Sequence, residues 1–142
     1  MAQYKSVKFA APKLQRVDGN VARIVDKVVP LTLAANDTFD WLLPKGIEYS
    51  DLIIQADDIE STTTSLFRLG FVKLPGGTIV DNDQYFAAAG QTLLRAGGRM
   101  YCAFKPITFE EDVMLRLTIN TGGTWQAGEV FAIAVGSMVG LR

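Results

Sequence analysis

No histidine occurs anywhere in this chain, and that absence removes more chemistry than any other feature of the composition. Ser-His-Asp and Cys-His nucleophile systems need an imidazole base, and imidazole is also the commonest transition-metal ligand. Cysteine is almost as scarce. The single Cys102 excludes an internal disulfide and a clustered thiolate site, and its neighbours Tyr101 and Ala103 make it read as a small buried residue of a strand. No apolar run approaches the roughly eighteen residues of a membrane-spanning helix, and MAQYKSVKF lacks the unbroken apolar core of a secretory signal. No membrane partner is expected, and folding in a reducing cytoplasm is. There is also no surplus of positive charge. The formal net charge is −1, whereas a general nucleic-acid binder carries a basic excess to neutralise phosphate. Lys5, Lys8 and Lys13 interleave with Tyr4 and Phe9, but they are too few to make nucleic acid an expected partner.

What is present suits one ordinary globular domain. A chain of 142 residues can bury roughly 68–70% of the surface that its unfolded form exposes. With 49% apolar and 20% charged residues, neither disorder nor a fibrous repeat is indicated. The charge is unevenly placed. Residues 1–30 hold Lys5, Lys8, Lys13, Arg16, Arg23 and Lys27 against Asp18 and Asp26, a local net of +4. Residues 36–60 hold seven acids, among them Asp57, Asp58 and Glu60, against Lys45 alone, for −6. A basic end and an acidic middle can attract each other within a subunit, between subunits or toward a larger surface, or can simply be solvated.

In chain order, residues 1–20 show no sustained period and end at the turn signal Asp18-Gly19-Asn20. They read as an extended basic arm reaching a neighbour, or as a strand lying on its own domain. Residues 21–142 read as the folded domain. Val21 to Leu33 is β-branched and interrupted by Pro30, Trp41 reads as a core or interface aromatic, and Leu43-Pro44-Lys45-Gly46 is a turn. From Asp51 to Phe71 two apolar segments flank a polar Asp/Ser/Thr link, the pattern of two strands and their connection. Asp81 to Ala89 predicts the only helix, short because of Gly90, with Asp81 or Asp83 as N-cap. Val113, Leu115, Leu117 and Ile119 alternate with polar residues, so one face is expected to be buried and the other wet. Val130 to Val135 is apolar throughout, as in a strand covered on both faces. There Phe131, Ile133 and Val135 are expected to fill the core, and Ala132, Ala134 and Gly136 to face a close outer partner. Roughly eight short strands with turns about every ten residues point to an antiparallel β-sandwich of jelly-roll type.

Acid pairs are the remaining candidates for catalysis. Asp57 with Asp58, and Glu110, Glu111 and Asp112, are adjacent in sequence, but neighbours on a strand point to opposite faces and do not form a shared pair. Asp81, Asn82 and Asp83 lack the spacing and closing glutamate of a calcium loop. The paired glycines lack the Lys-Ser/Thr of a phosphate-binding loop. No enzymatic activity and no cofactor are expected.

The order of features carries more than any one of them. DTFDWLLPKGIEYSDLIIQADDIES, TTTSLFRLGFV, DNDQYFAAAGQTLLRAGG and a Thr-Ile-Asn-Thr-Gly strand turning into GTWQAGEVFAIAVG together resemble the small all-β proteins that decorate or cement the capsids of tailed bacteriophages. The resemblance covers residues 21–139. It implies a protein made in the host cytoplasm and carried on the virion surface, bound to the major capsid protein and to itself as a dimer or trimer. On that reading Lys5, Lys8, Phe9, Lys13 and Arg16 reach the shell or a neighbour, Asp57, Asp58 and Glu60 meet basic capsid loops, and Ala132 and Ala134 form a subunit contact. The alternative is a carbohydrate-binding sandwich for host recognition, in which exposed Trp41, Tyr49 and Trp125 would stack on sugars.

Overall fold

The computed structural model describes residues 1–9, 14–18 and 21–139. Among them, eleven strands form the two sheets of a β-sandwich. They are β1 (Gln3–Lys5), β2 (Leu14–Asp18), β3 (Val21–Val28), β4 (Thr38–Leu43), β5 (Ile47–Ala56), β6 (Leu66–Lys73), β7 (Asn82–Gln91), β8 (Gly98–Tyr101), β9 (Ile107–Thr108), β10 (Val113–Thr121) and β11 (Val130–Met138). The first sheet has the order β1-β4-β10-β6-β7 and the second β2-β3-β11-β5-β8, with β9 also on β5. Only β1 on β4 runs parallel among these ladders.

The inner faces follow from period-two alternation. Phe39, Trp41 and Leu43 of β4, Val113, Leu115, Leu117 and Ile119 of β10, and Phe67 and Leu69 of β6 are buried. Against them the second sheet sets Ala22, Ile24 and Val28, Leu52, Ile54 and Ala56, and Val130, Ala132 and Ala134. The aromatics Phe39, Trp41 and Phe67 of one sheet thus meet mainly aliphatic residues of the other, with alanines among them, which is how two layers about 10 Å apart fill their space. The Trp41 indole N–H is satisfied by the Asp26 carbonyl at 3.2 Å. The outer face of β10 is less wet than its pattern suggests, since Met114 and Thr118 are buried as well.

The expected strand pair in Asp51–Phe71 exists, but β5 and β6 lie in different sheets, so the polar link crosses from one layer to the other. The helix expected at Asp81–Ala89 does not form. That stretch lies in β7, and the helical element among the described residues is a single 3-10 turn at Leu93–Arg95. Asp81 caps nothing; its Oδ1 accepts the Lys73 backbone N–H at 2.8 Å, while Asp83 pairs with Arg68 at 2.8 Å. Tertiary contacts override the Ala-rich helical composition here. As a strand, the segment hydrogen-bonds to the open edge of β6 and places Tyr85 and Phe86 in an edge-to-face aromatic cluster. Phe71–Tyr85 centroids are 5.4 Å apart, Phe71–Phe109 4.9 Å and Phe86–Phe104 4.8 Å.

The N-terminal segment, where described, lies on its own domain. β1 adds to the edge of β4, and β2 pairs with β3. Between the sheets, Ser6 N–H donates to the Asp40 carbonyl at 2.7 Å and Val7 N–H to the Lys27 carbonyl at 2.8 Å.

Candidate contact surfaces

Three of the basic-arm residues meet at one corner. Lys5 is exposed, with its Nζ 5.0 Å from the centroid of the Phe9 ring, a cation–π contact worth about 0.5–1 kcal/mol in an exposed setting. The Lys8 N–H donates to both Asp26 carboxylate oxygens, at 3.1 and 2.9 Å. This corner is held by backbone bonds to both sheets and keeps the exposed Lys5 at the surface beside the half-buried Lys8. Lys13 lies outside the described residues, and Arg16 stands opposite Arg23 in the β2–β3 ladder.

The acidic link divides. Asp57 and Asp58 are exposed on the rim, although the Asp57 Oδ2 also accepts the Glu129 N–H at 2.9 Å. Glu60 is no contact residue, because it is 2% exposed. Its Oε1 accepts the Ser65 hydroxyl at 2.5 Å, and its Oε2 accepts the Thr62 hydroxyl at 2.6 Å and the Thr64 and Ser65 N–H groups at 3.0 Å each. Burial alone would raise its pKa, but these donors from Ser65, Thr62 and Thr64 outweigh it and hold the carboxyl at about 2. The Thr-rich link is therefore wound around a buried carboxylate. A bridge from Glu60 to Trp125, with Gln126 N–H donating to the Ile59 carbonyl at 2.8 Å, ties it to the turn before β11.

β11 faces the opposite way from the sequence expectation. Ala132 and Ala134 are buried among core residues, opposite Ile54 and Leu52 of β5, so neither is available to a partner. Phe131, Ile133 and Val135 stand on the outer face instead. Apolar residues at every position leave strand parity undetermined by sequence, and the small side chains point inward because Phe39, Trp41 and Phe67 occupy the space between the sheets. The outer face so created joins Val25 of β3, Ile53 of β5 and Tyr101 of β8, the last 70% exposed. Sequence reading missed this surface; the continuous apolar run was the signal that both faces of β11 would carry hydrophobic groups.

The outer face of the first sheet is polar. Asp40 is fully buried and receives both the Arg116 Nε, at 2.8 Å, and Nη2, at 3.1 Å, together with the Gln3 amide. Arg68 and Asp83 make the second pair. Arg116, Arg68 and Asp83 border an open cleft of about 490 Å³ that also takes in Met1, Asp81 and Thr118. Both guanidinium groups are committed to carboxylates, so the cleft has no free pair of cations with which to clamp an anion.

The remaining acids act as loop ties. Glu111 Oε1 accepts the Thr78 and Ile79 N–H groups at 2.8 and 2.6 Å, and the Thr78 bond leads in holding its pKa below the ordinary range. Asp112 accepts the Lys45 N–H at 2.9 Å. No group of three or more metal-ligating side chains gathers among the described residues. Burial pushes the Cys102 thiol up to about 12, leaving almost no thiolate at neutral pH. Alkylation of Cys102 by iodoacetamide at pH 8 is expected to be at least about tenfold slower in the folded protein than in urea; equal rates would mean an accessible thiol. Of the candidate sugar-stacking aromatics, Trp41 and Tyr49 are each 2% exposed and cannot stack on a ligand. Trp125 is half-buried. No helix among the described residues is long and apolar enough to cross a membrane.

The fold recurs in solved phage capsids. One chain in the capsid of Ralstonia phage GP4 superimposes with a TM-score of 0.69 at 19% identity, covering 99% of this chain and 100% of that one. A chain of the cyanophage Pam1 capsid asymmetric unit gives 0.65 at 17% identity, with 91% and 95% coverage. A chain of the acid-stable capsid of Helicobacter pylori bacteriophage KHP30 gives 0.59 at 13%, with 90% and 95%. No family model and no curated relative matches the sequence. At such identities the likeness is one of fold, and it extends over essentially whole chains.

Proposed function

We propose that this protein is a structural component of a bacteriophage virion, one that binds the outer surface of the capsid and ties neighbouring shell subunits together. The observation that carries the reading is the match to a capsid chain over 99% of this chain and 100% of the other. The surfaces support it. Of the adjacent acids, Glu111 and Asp112 serve as loop ties, while exposed charge stands at Lys5 and at Asp57 and Asp58. Contact, rather than turnover, is what such surfaces supply. The partners are the major capsid protein and other copies of this chain, and the site of action is the virion surface after synthesis in the host cytoplasm.

Quantitative mass spectrometry of purified particles tests the role. Hundreds of copies in fixed ratio to the major capsid protein are expected. A handful of copies would move the protein to a tail or neck, and absence would end the virion reading. Removing residues 2–18 is not a clean test of the basic corner, because it deletes β1 and β2. The double substitution Lys5→Glu/Lys8→Glu is clean. Binding to undecorated shells at low salt should weaken about tenfold or more while the melting temperature holds, as expected for charges that steer association. Unchanged binding would take this corner out of the capsid interface.

A further inference from the structure

Across the outer face of the second sheet, four apolar residues form one row perpendicular to the strands. Val25, Ile133, Ile53 and Tyr101 are matched in register through β3, β11, β5 and β8. In the adjacent row Val135 stands between Arg23 on β3 and Asp51 on β5, both exposed. The row on the other side sets Phe131 between Lys27 and Gln55. The face is thus apolar along its middle, with Arg23 and Lys27 on the β3 side, the latter paired with Glu129 at 2.6 Å, Asp51 on the β5 side, and Arg99 beyond Gln55 on β8. We propose that it pairs with the same face of a second copy, about a two-fold axis running along β11.

The charges select the axis. Rotation about a line along β11 keeps every row at its own level and exchanges the two flanks, so β3 of each copy lies over β5 of the other. Arg23 then meets Asp51 twice, Val25 meets Ile53 twice, and Ile133 and Val135 meet their own counterparts. An axis across the strands would set β3 on β3 with the rows reversed, bringing Arg23 over Lys27, which is already paired with Glu129 at 2.6 Å, and Asp51 over Gln55, so that Asp51 would face no cation. Packing of two twisted sheets with strands aligned within about 30° is an ordinary mode of sheet association, and an isologous pair closes without leaving the face open to further addition. Five strands about 4.8 Å apart and about seven residues long outline roughly 550 Å² per copy, on the order of 1,100 Å² for the pair. That lies just below the range of standard stable interfaces and within that of weak ones, so a weak, concentration-dependent dimer is expected. The first sheet cannot substitute, because its outer face carries the Asp40–Arg116 and Arg68–Asp83 pairs.

This inference specifies the self-association within the proposed function and concerns the free protein, so its failure would leave capsid attachment standing. Sedimentation velocity of the purified full chain, over a series from micromolar to sub-millimolar concentration, should show a monomer–dimer equilibrium. Arg23→Asp and Asp51→Arg should each weaken the dimer about tenfold or more with the melting temperature of the monomer unchanged. The combined variant, in which the two charges are exchanged, should return to within about threefold of the original affinity. A monomer at every concentration, a trimer, or single variants that dimerise normally would overturn the proposal. A double variant no tighter than the singles would overturn the axis, since Arg23 and Asp51 would then not face each other.

Discussion

Glu60→Ala is expected to lower the unfolding free energy by about 3 kcal/mol or more, read from the midpoint of urea denaturation. Four hydrogen-bond donors of the Thr62–Ser65 link converge on this buried carboxylate, and alanine would leave the two from the fully buried Ser65 without an acceptor, at about 1–3 kcal/mol for each group that water cannot reach. The loop has been built around the carboxylate in a second respect. A Cβ on Gly123 would stand 2.0 Å from Glu60 Oε2, so the glycine leaves room that only this acid fills. The sign of the pH dependence follows from the depressed pKa. The folded value of about 2 lies below the ordinary 4.5, so the contribution is complete above pH 4.5 and is lost as the pH falls from there toward 2. Glu60→Gln should keep the packing, lose part of the stability at neutral pH and flatten the acid-induced loss in that window. A Glu60→Ala curve superimposable on the parent would show that the link is held by other means.

Gly70→Ala should be comparably damaging, by about 3 kcal/mol or more, and should loosen the β7 edge before the rest of the domain. Gly70 lies in β6 opposite Arg116 of β10, and on its other side residues 83–86 of β7 stand against it alone, between the Leu69–Ala87 and Phe71–Asn82 pairs. The bulged chain comes so close that a Cβ at residue 70 would meet the Asn82 carbonyl oxygen at 2.1 Å and the Asp83 Cα at 2.4 Å. Both obstacles are backbone and cannot rotate away, unlike the end of a side chain. Displacing them removes Asp83 from Arg68 and lifts Tyr85 and Phe86 out of the aromatic cluster. Hydrogen exchange of β7 amides should accelerate well beyond that of β10, and equal protection in the variant and the parent would rule out this account.

The β-sandwich was legible because β10 writes it plainly: Val113, Leu115, Leu117 and Ile119 alternate with polar residues, and all four are buried. The candidate contacts were legible only in part. Lys5, Asp57 and Asp58, read from the uneven charge pattern, are exposed, but Glu60, from the same acidic stretch, points inward because hydroxyl and amide donors nearby in the chain stabilise its charge away from water. β7 was misread because an Asp-rich start and an alanine run are helical in isolation. An open strand edge and a cluster of aromatic rings supply more than that local preference can offset.

By itself, the sequence determined the class of the protein. Alternating apolar positions and regular turns lead to an all-β domain, since strand periodicity is a local property. Which face of β11 is outside was decided by the tertiary structure alone. A strand that is apolar at every position carries no parity signal, and only the volume of Phe39, Trp41 and Phe67 on the facing sheet turns Ala132 and Ala134 inward and sets Phe131, Ile133 and Val135 on the outer face, where Ile133 keeps 7% of its surface exposed.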